Sequence, residues 1–392
     1  MRAPEPVGRE RPAKPAFLGA VSPGGRWRLR GALAARGLQV LAFGLVPLLL
    51  TALQFSGLVN AHTVAVDFSH GSWIAGHRIF DGLSPYVASN SAQLKGITFV
   101  YPAVAALLLA PFSLLAQGTA DVVFTMVGIL AALATLRVLE VKDWRVYGVC
   151  LMWPAVMSAW ETANVTLILA FGIALAWRYR NLPIVSGVLV ALVVSFKLFL
   201  WPLTLWLIAT KRYRALGYAA LCGLVINLLS WAVLGFDQLA RYKALMATLT
   251  RDQETRGYSL VALFVNHGSS RPLAYALSAG VAAVLAGACL AAGQRGGGRA
   301  ALALSVACSL FVTPIVWMHY FALLLVPLAL VRPRLAMLWL VPLLLQFPAL
   351  GPSASQDLIT LALAAAITAL VLLSSRSEPI RNPTERAVSA AV

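Results

Sequence analysis

Residues 62–111 read HTVAVDFSHGSWIAGHRIFDGLSPYVASNSAQLKGITFVYPAVAALLLAP, a polar, histidine-bearing stretch wedged between long apolar runs. A loop of this polarity has a place in so apolar a chain only if the runs beside it sit in a bilayer and the loop lies at its surface. Carboxylates are scarce elsewhere, yet Asp67 and Asp81 both stand here, just after the first apolar run. An acid at a membrane surface is costly unless it has a task, so chemistry is sought first in this loop.

Working outward, composition fixes the class. The 392 residues are 60% hydrophobic and 11% charged, with a mean hydropathy of +0.81. A soluble chain carries about twice that charged fraction. Repeated apolar runs of roughly 17–25 residues satisfy their backbone polar groups as membrane-spanning helices. Strand-type alternation is absent, which argues against a β-barrel. The expected fold is an all-α polytopic membrane protein.

A net charge of +17 raises the possibility of a nucleic-acid partner, which the placement of the charge argues against. Arg2, Arg9, Arg11, Lys14, Arg26, Arg28, Arg30 and Arg36 precede the first apolar run, and Arg376, Arg381 and Arg386 follow the last. Basic flanks of this kind mark cytoplasmic termini and attract anionic lipid. The Pro/Gly-rich start reads as a disordered tail rather than a cleaved signal. Cys150, Cys222, Cys289 and Cys308 all lie within apolar runs, as small buried hydrophobes do.

Positive-inside bookkeeping gives a map. A first span at 36–58 leads outward, a partly embedded helix at 100–116 returns to the outer face, and a second span at 119–138 leads to the basic turn RVLEVKDWR at 137–145. Short pairs follow at 145–159 and 162–178, then 184–197 and 199–210, each returning to a basic turn. Runs this short do not cross fully at 1.5 Å per residue, so they are expected as tilted or half-inserted helices lining a cavity. The remainder is 214–234, an outer loop at 235–271, then 272–292, 299–315, 317–331, 335–350 and 355–374. The total is about twelve spans with both termini inside.

This map gathers Asp67, Asp81, Glu161, Asn164, Lys197, Arg251, Arg256 and His319 at or near the outer face. The outer loop is basic, against the topological preference, which suits an anionic lipid-linked ligand; solvated charge is the plainer reading of any one arginine there. Lys197 sits in VALVVSFKLFLWPLTLW, where a lysine costs about 2.5–3.5 kcal/mol at the bilayer centre. It must snorkel, pair or face a polar cavity, and Pro202 points to a turn just beyond it. His319 follows Pro314, and Trp317 and Tyr320 mark an interfacial position. Its role is open between packing and chemistry.

The order of these residues resembles a known family. Asp67-Phe68 after the first span is followed by the turn Gly82-Leu83-Ser84-Pro85-Tyr86, and by Tyr101-Pro102 opening a helix that reaches Pro111. Then come Lys197 and Pro202, and a late Pro314, Trp317, His319. Over about residues 40–375 the chain resembles glycosyltransferase family 87 of the GT-C superfamily. It departs from the family pattern at Ala103, at Glu161-Thr162-Ala163 and at Gly257-Tyr258-Ser259-Leu260, positions that bear on acceptor choice more than on fold.

The resemblance implies a GT-C-like bundle and inverting transfer of a sugar, most often mannose, from a polyprenyl-phosphate donor to a hydroxyl of a glycolipid or polysaccharide acceptor. It implies a multi-pass protein of the plasma membrane, with an extracytoplasmic active site. The domains expected are a basic tail at 1–35, a catalytic membrane domain at 36–375 with outer loops 59–118 and 235–271, and a tail at 376–392. Asp67 is the candidate base, with His319 as a second catalytic residue; Asp81 and Glu161 are the competing acids. Asp81 is more simply a turn residue and Glu161 an N-terminal helix charge. Lys197, Arg251 and Arg256 are the candidates for the donor phosphate. Asp81, Tyr86, Tyr101, Glu161, Asn164, Ser259 and Trp317 are the candidate cavity residues. No cofactor is expected: there is no nucleotide-binding glycine loop, no Asp-x-Asp and no regular metal spacing, and His62, His70 and His77 are irregularly placed. A pentose-transferring enzyme with a polyprenyl-phosphate arabinose donor is the nearest alternative. A secondary transporter is another, although no internal repeat is evident.

Overall fold

The computed structural model describes residues 23–88, 97–346 and 354–376. Expectations for the tails at 1–22 and 377–392, for the loop tip at 89–96 and for residues 347–350 lie outside the described residues. The first helix starts at Pro23, within the segment expected as tail, and runs on through a π-turn at Leu41–Leu45 to Asn60. Pro47 has no N–H to give the preceding turn, and the π-turn just before it absorbs the mismatch.

Every regular element among the described residues is helical. Five helices are long and apolar enough to cross a bilayer: Ala32–Asn60, Gln117–Val138, Tyr213–Leu234, Arg271–Gln294 and Gln356–Ser374. A sixth results if Pro154–Glu161 and Thr166–Arg178, bent by 117°, count as one broken span. The shorter apolar helices, such as Pro183–Phe196 and Gly298–Val312, hold 10–17 residues. At that length they reach about 15–25 Å, against a hydrocarbon core of about 30 Å. Helix length therefore supports five or six crossings and does not confirm about twelve.

Three of the long helices, Ala32–Asn60, Tyr213–Leu234 and Arg271–Gln294, are mostly exposed, while Gln117–Val138 is half buried. Tyr213–Leu234 exposes Leu221, Leu224, Leu228 and Val233, an apolar face suited to lipid. Its other face packs on Pro183–Phe196, where a Cβ on Gly187 would meet the Ala215 carbonyl at 2.5 Å, so only glycine permits the approach. The interior holds Trp153, Trp160, Trp206 and Trp339, all fully buried.

The basic turns gather at one end. Arg212 donates to the Arg180 carbonyl and to Asn181, and Gly298 approaches Trp177 and Thr210, so the turns after 178, 210 and 294 are neighbours. Asp143 caps helix Trp144–Leu151, pairs with Arg145 at 2.8 Å and accepts from the Leu335 N–H at 3.0 Å. The hydrogen bonds from Arg145 hold its carboxyl down at about 2. From this end, Thr166–Arg178 and Pro183–Phe196 lead roughly 20 Å through the protein to the break points at Asn164 and Lys197.

The outer loop expected at 235–271 is itself helical, as Asp237–Gln253 and Leu260–Asn266. The first of these buries Leu245 and Leu249 and exposes Arg241, Lys243 and Arg251.

Candidate active site

Four chain breaks meet at one place. Helix Pro154–Glu161 ends in a Schellman-type turn: the Asn164 N–H returns to the Ala159 carbonyl at 2.8 Å and the Ala163 N–H to that of Trp160 at 3.2 Å. Position 163 is left-handed, with φ 49°, and is alanine where glycine is usual. That conformation costs an L-residue about 1–2 kcal/mol, strain kept where the chain needs a sharp bend. The helix's last carbonyls are then taken by the loop after the first span, through Ala65 N–H to Glu161 at 2.7 Å and Asp67 N–H to Thr162 at 3.1 Å. Helix-end carbonyls need partners in a dry environment, and satisfying them places Asp67 beside Asn164. The fully buried Phe68 ring fixes the same loop, stacked on Phe124 at 4.3 Å and edge-on to Phe112 at 6.0 Å.

Helix Pro183–Phe196 stops at Lys197, which is extended (φ −139°, ψ 104°), five positions ahead of the Pro202 that suggested the turn. The extended residue turns its side chain inward, and Lys197 is buried. The fourth break is Thr313–Trp317, where Pro314 separates helix Gly298–Val312 from the turn Met318–Leu324. It brings in His319 and Tyr320.

Asn164 joins these segments. Its Nδ2 donates to Asp67 Oδ2 at 2.9 Å and to the Tyr101 hydroxyl at 3.2 Å. Its Oδ1 accepts from Lys197 Nζ at 2.9 Å, from Thr166 Oγ1 at 2.7 Å and from the Thr166 N–H at 3.2 Å. Lys197 Nζ also lies 3.4 Å from Thr166 Oγ1, and sits over the Tyr320 ring at 4.1 Å and the Tyr101 ring at 5.4 Å. Tyr320 is held flat by Phe199, stacked at 4.8 Å and 6°. His319 packs edge-on to Tyr320 at 4.9 Å, buried, with no hydrogen-bond partner for its Nε2.

Burial raises the Asp67 carboxyl above its ordinary range, opposed by the Asn164 hydrogen bond, the Lys197 charge and a hydrogen bond from Thr162. A carboxylate of raised basicity and a desolvated ammonium, on opposite sides of one amide, can take a proton and hold an anion in the same event.

Of the residues expected from the sequence, Asp67, Tyr101, Asn164, Lys197 and His319 come together here. Tyr86 stands behind them: buried, it donates to the Tyr101 carbonyl at 3.1 Å and packs on Tyr242 and Trp231, so it acts as a buttress. Glu161 is not at a helix start, as expected, but is the last residue of its helix. There a carboxylate opposes the dipole, and it is held instead by Gln54. Ser259 caps helix Leu260–Asn266, accepting from the Ala262 N–H at 3.0 Å. Trp317 is half-buried at the start of the last turn. Asp81 is exposed at the end of helix Ile74–Phe80, and Arg251 and Arg256 are exposed; none of the three is bonded to the Asn164 cluster.

Thr166, Phe199 and the ring role of Tyr320 were not expected. An Asn-x-Thr at a helix start signals a side-chain turn. An aromatic two residues after a buried lysine is a weaker signal. Asp121 is a buried carboxylate in helix Gln117–Val138, close to Ser69 and His70; only its place in an apolar helix marks it.

The sequence model of glycosyltransferase family 87 matches residues 99–318. The match holds Tyr101, Asn164 and Lys197; His319 lies one residue past its end and Asp67 well before its start. No curated protein and no solved structure matches the chain. With more than half of its length matched and an all-helical body carrying several membrane-length helices, the chain belongs to glycosyltransferase family 87, a family of membrane glycosyltransferases.

Proposed function

We propose that the protein transfers a sugar, mannose in the first instance, from a polyprenyl-phosphate donor to a hydroxyl of a glycolipid or polysaccharide, with inversion at the anomeric carbon. The observation that carries this reading is the single amide of Asn164 lying between a carboxylate and a buried ammonium. Asp67 accepts the proton of the acceptor hydroxyl as its oxygen bonds to the anomeric carbon. The bond from that carbon to the phosphate oxygen breaks, and Lys197 holds the departing phosphate. A charge-assisted hydrogen bond to such a group is about twice as strong as a neutral one. His319, with its unpartnered buried Nε2, supplies a further hydrogen bond to phosphate or acceptor.

A lipid-linked donor suits a site at the break points of short helices, because its sugar phosphate meets the protein at the bilayer surface while the chain stays in lipid. Arg251 and Arg256, exposed on the outer loop, draw anionic headgroups towards that surface. In this reading the basic turns and both termini are cytoplasmic, the Asn164 end is extracytoplasmic, and the membrane is the plasma membrane. The short helices are half-inserted, bringing the helical segments that enter the bilayer to about twelve.

The test is incubation of the purified full chain, in lipid nanodiscs, with labelled polyprenyl-phosphate mannose, polyprenyl-phosphate arabinose or a nucleotide-linked mannose, and a glycolipid extract as acceptor. Label is expected in glycolipid from the lipid-linked mannose. Label from the nucleotide sugar alone would overturn the donor class, and label from the arabinose donor alone would change the sugar.

A further inference from the structure

The orientation of the Asn164 amide is dictated by its surroundings. The Thr166 N–H can only donate, so the atom facing it at 3.2 Å is the oxygen. The Thr166 hydroxyl at 2.7 Å and the Lys197 ammonium at 2.9 Å approach the same oxygen. The amide nitrogen is thereby turned to Asp67 Oδ2 at 2.9 Å and the Tyr101 hydroxyl at 3.2 Å. A carboxylate can use such a donor and an ammonium can use such an acceptor, so one neutral side chain bonds to both charged groups. Among the described residues, no ion pair within 4.0 Å joins Asp67 to Lys197. Two opposite charges so close in a dry interior attract strongly, and something must stand between them.

We infer that Asn164 is a positioning residue that acts as an insulating spacer, holding the base and the phosphate-binding cation at fixed places while preventing their collapse into a direct ion pair. This rests on the reading of Asp67 as base and Lys197 as the cation for the leaving phosphate. A direct pair would disable both: the carboxylate's lone pair would be held by the ammonium, and the ammonium would have less charge to offer phosphate. A neutral amide fixes each group with a weaker bond that the reaction can exchange. The alanine at 163, left-handed at φ 49°, and the side-chain turn to Thr166 place the amide at the bend. The titratable groups facing Asp67 are Lys197, Tyr101 and Tyr320, with His319 beyond Lys197 and Glu161 on the adjoining helix end.

Two substitutions move the carboxyl in opposite directions. In Asn164→Asp the oxygen that accepts from Lys197 and Thr166 is kept, but the donor to Asp67 becomes a second carboxyl. Two carboxylates sharing a site retain a proton, so the pair's titration midpoint rises. In Asn164→Ala the spacer is gone and the ammonium reaches Asp67; a charged partner outweighs the lost amide, so the midpoint falls. The readout is infrared titration of the full chain in nanodiscs, following the protonated-carboxyl stretch that a further Asp67→Asn change abolishes. Donor-dependent transfer is measured in parallel. Asn164→Asp should lose about tenfold or more in rate near neutral pH and recover as the pH is raised.

Without a spacer role, loss of the Asn164 hydrogen bond alone would raise the Asp67 midpoint in both variants. Unmoved midpoints, or movement in the same direction in both variants, would overturn the inference. If Asn164→Ala does not fold, Asn164→Gly, which also removes the amide without adding charge, decides by the sign of its shift. Opposite shifts in a protein that transfers from no lipid-linked donor would sink the proposed reaction and leave the spacer standing. Transfer with unmoved midpoints would do the reverse.

Discussion

Lys197→Met separates binding chemistry from folding. Methionine has nearly the length of lysine and fills the same space without the ammonium. Folding loses one charge-assisted hydrogen bond to Asn164 at 2.9 Å and a cation–π contact with Tyr320 at 4.1 Å. These contribute about 1.5–3 and about 0.5–2 kcal/mol. Against this, an ammonium no longer has to be desolvated, a relief of several kcal/mol. The amide oxygen is not orphaned, because Thr166 still donates to it twice, at 2.7 and 3.2 Å. The two sides nearly cancel, so the melting temperature should stay within about 5 °C of the parent's, a net change of about 1–2 kcal/mol in a chain of this size. Transfer is different: a positioned cation on a departing phosphate contributes about 2–4 kcal/mol to the barrier, or about 30- to 1000-fold in rate. The assay is kcat/KM for labelled polyprenyl-phosphate mannose, per folded molecule, beside thermal unfolding in the same nanodiscs. A large drop in melting temperature with unchanged turnover would refute the reasoning and leave Lys197 a structural cation.

Other expectations follow from the same geometry. Because burial raises the Asp67 carboxyl, the wild-type rate should be full above that raised value and fall as the pH drops through it. The acidic limb of kcat/KM should therefore lie above the range of an exposed carboxylate, and a limb at the ordinary value of 3.8 would count against Asp67 as base. Asp81→Asn should transfer at close to the wild-type rate, since Asp81 is exposed at a helix end; a hundredfold loss would move the chemistry there. Gly257→Ala would bring a Cβ to 2.6 Å from the Val316 carbonyl, beside the Tyr258 N–H bond to that same oxygen. It should lower thermal stability by about 1–3 kcal/mol, read from unfolding in nanodiscs.

The membrane class and the long helices were legible because hydropathy is a local property. The runs 119–138 and 214–234 reappear as Gln117–Val138 and Tyr213–Leu234. Number of crossings was not legible, since a run's apolarity does not say whether its ends reach both faces; 184–197 and 199–210 became short helices around Lys197. Lys197 stood out because a buried lysine is costly anywhere in an apolar run. Asn164 was visible as a candidate cavity residue near the outer face, but not as the link of the site; that role comes from Asp67 and Lys197, partners distant in sequence that meet through helix-end hydrogen bonds. Glu161 was misplaced because a break at 162–165 depends on a left-handed alanine, which composition does not announce. Arg251 and Arg256 stand apart from this cluster, exposed, whereas the buried Lys197 is linked through Asn164 to the carboxylate.

Asp67 as the base that drives lipid-linked sugar transfer is tested most directly by single-turnover kinetics of Asp67→Asn with saturating polyprenyl-phosphate mannose and acceptor. Asparagine keeps the size and most of the hydrogen bonding but cannot take the proton. The prediction is a chemical step slowed by about a hundredfold or more with donor binding retained. A chemical step close to the wild-type rate would contradict it.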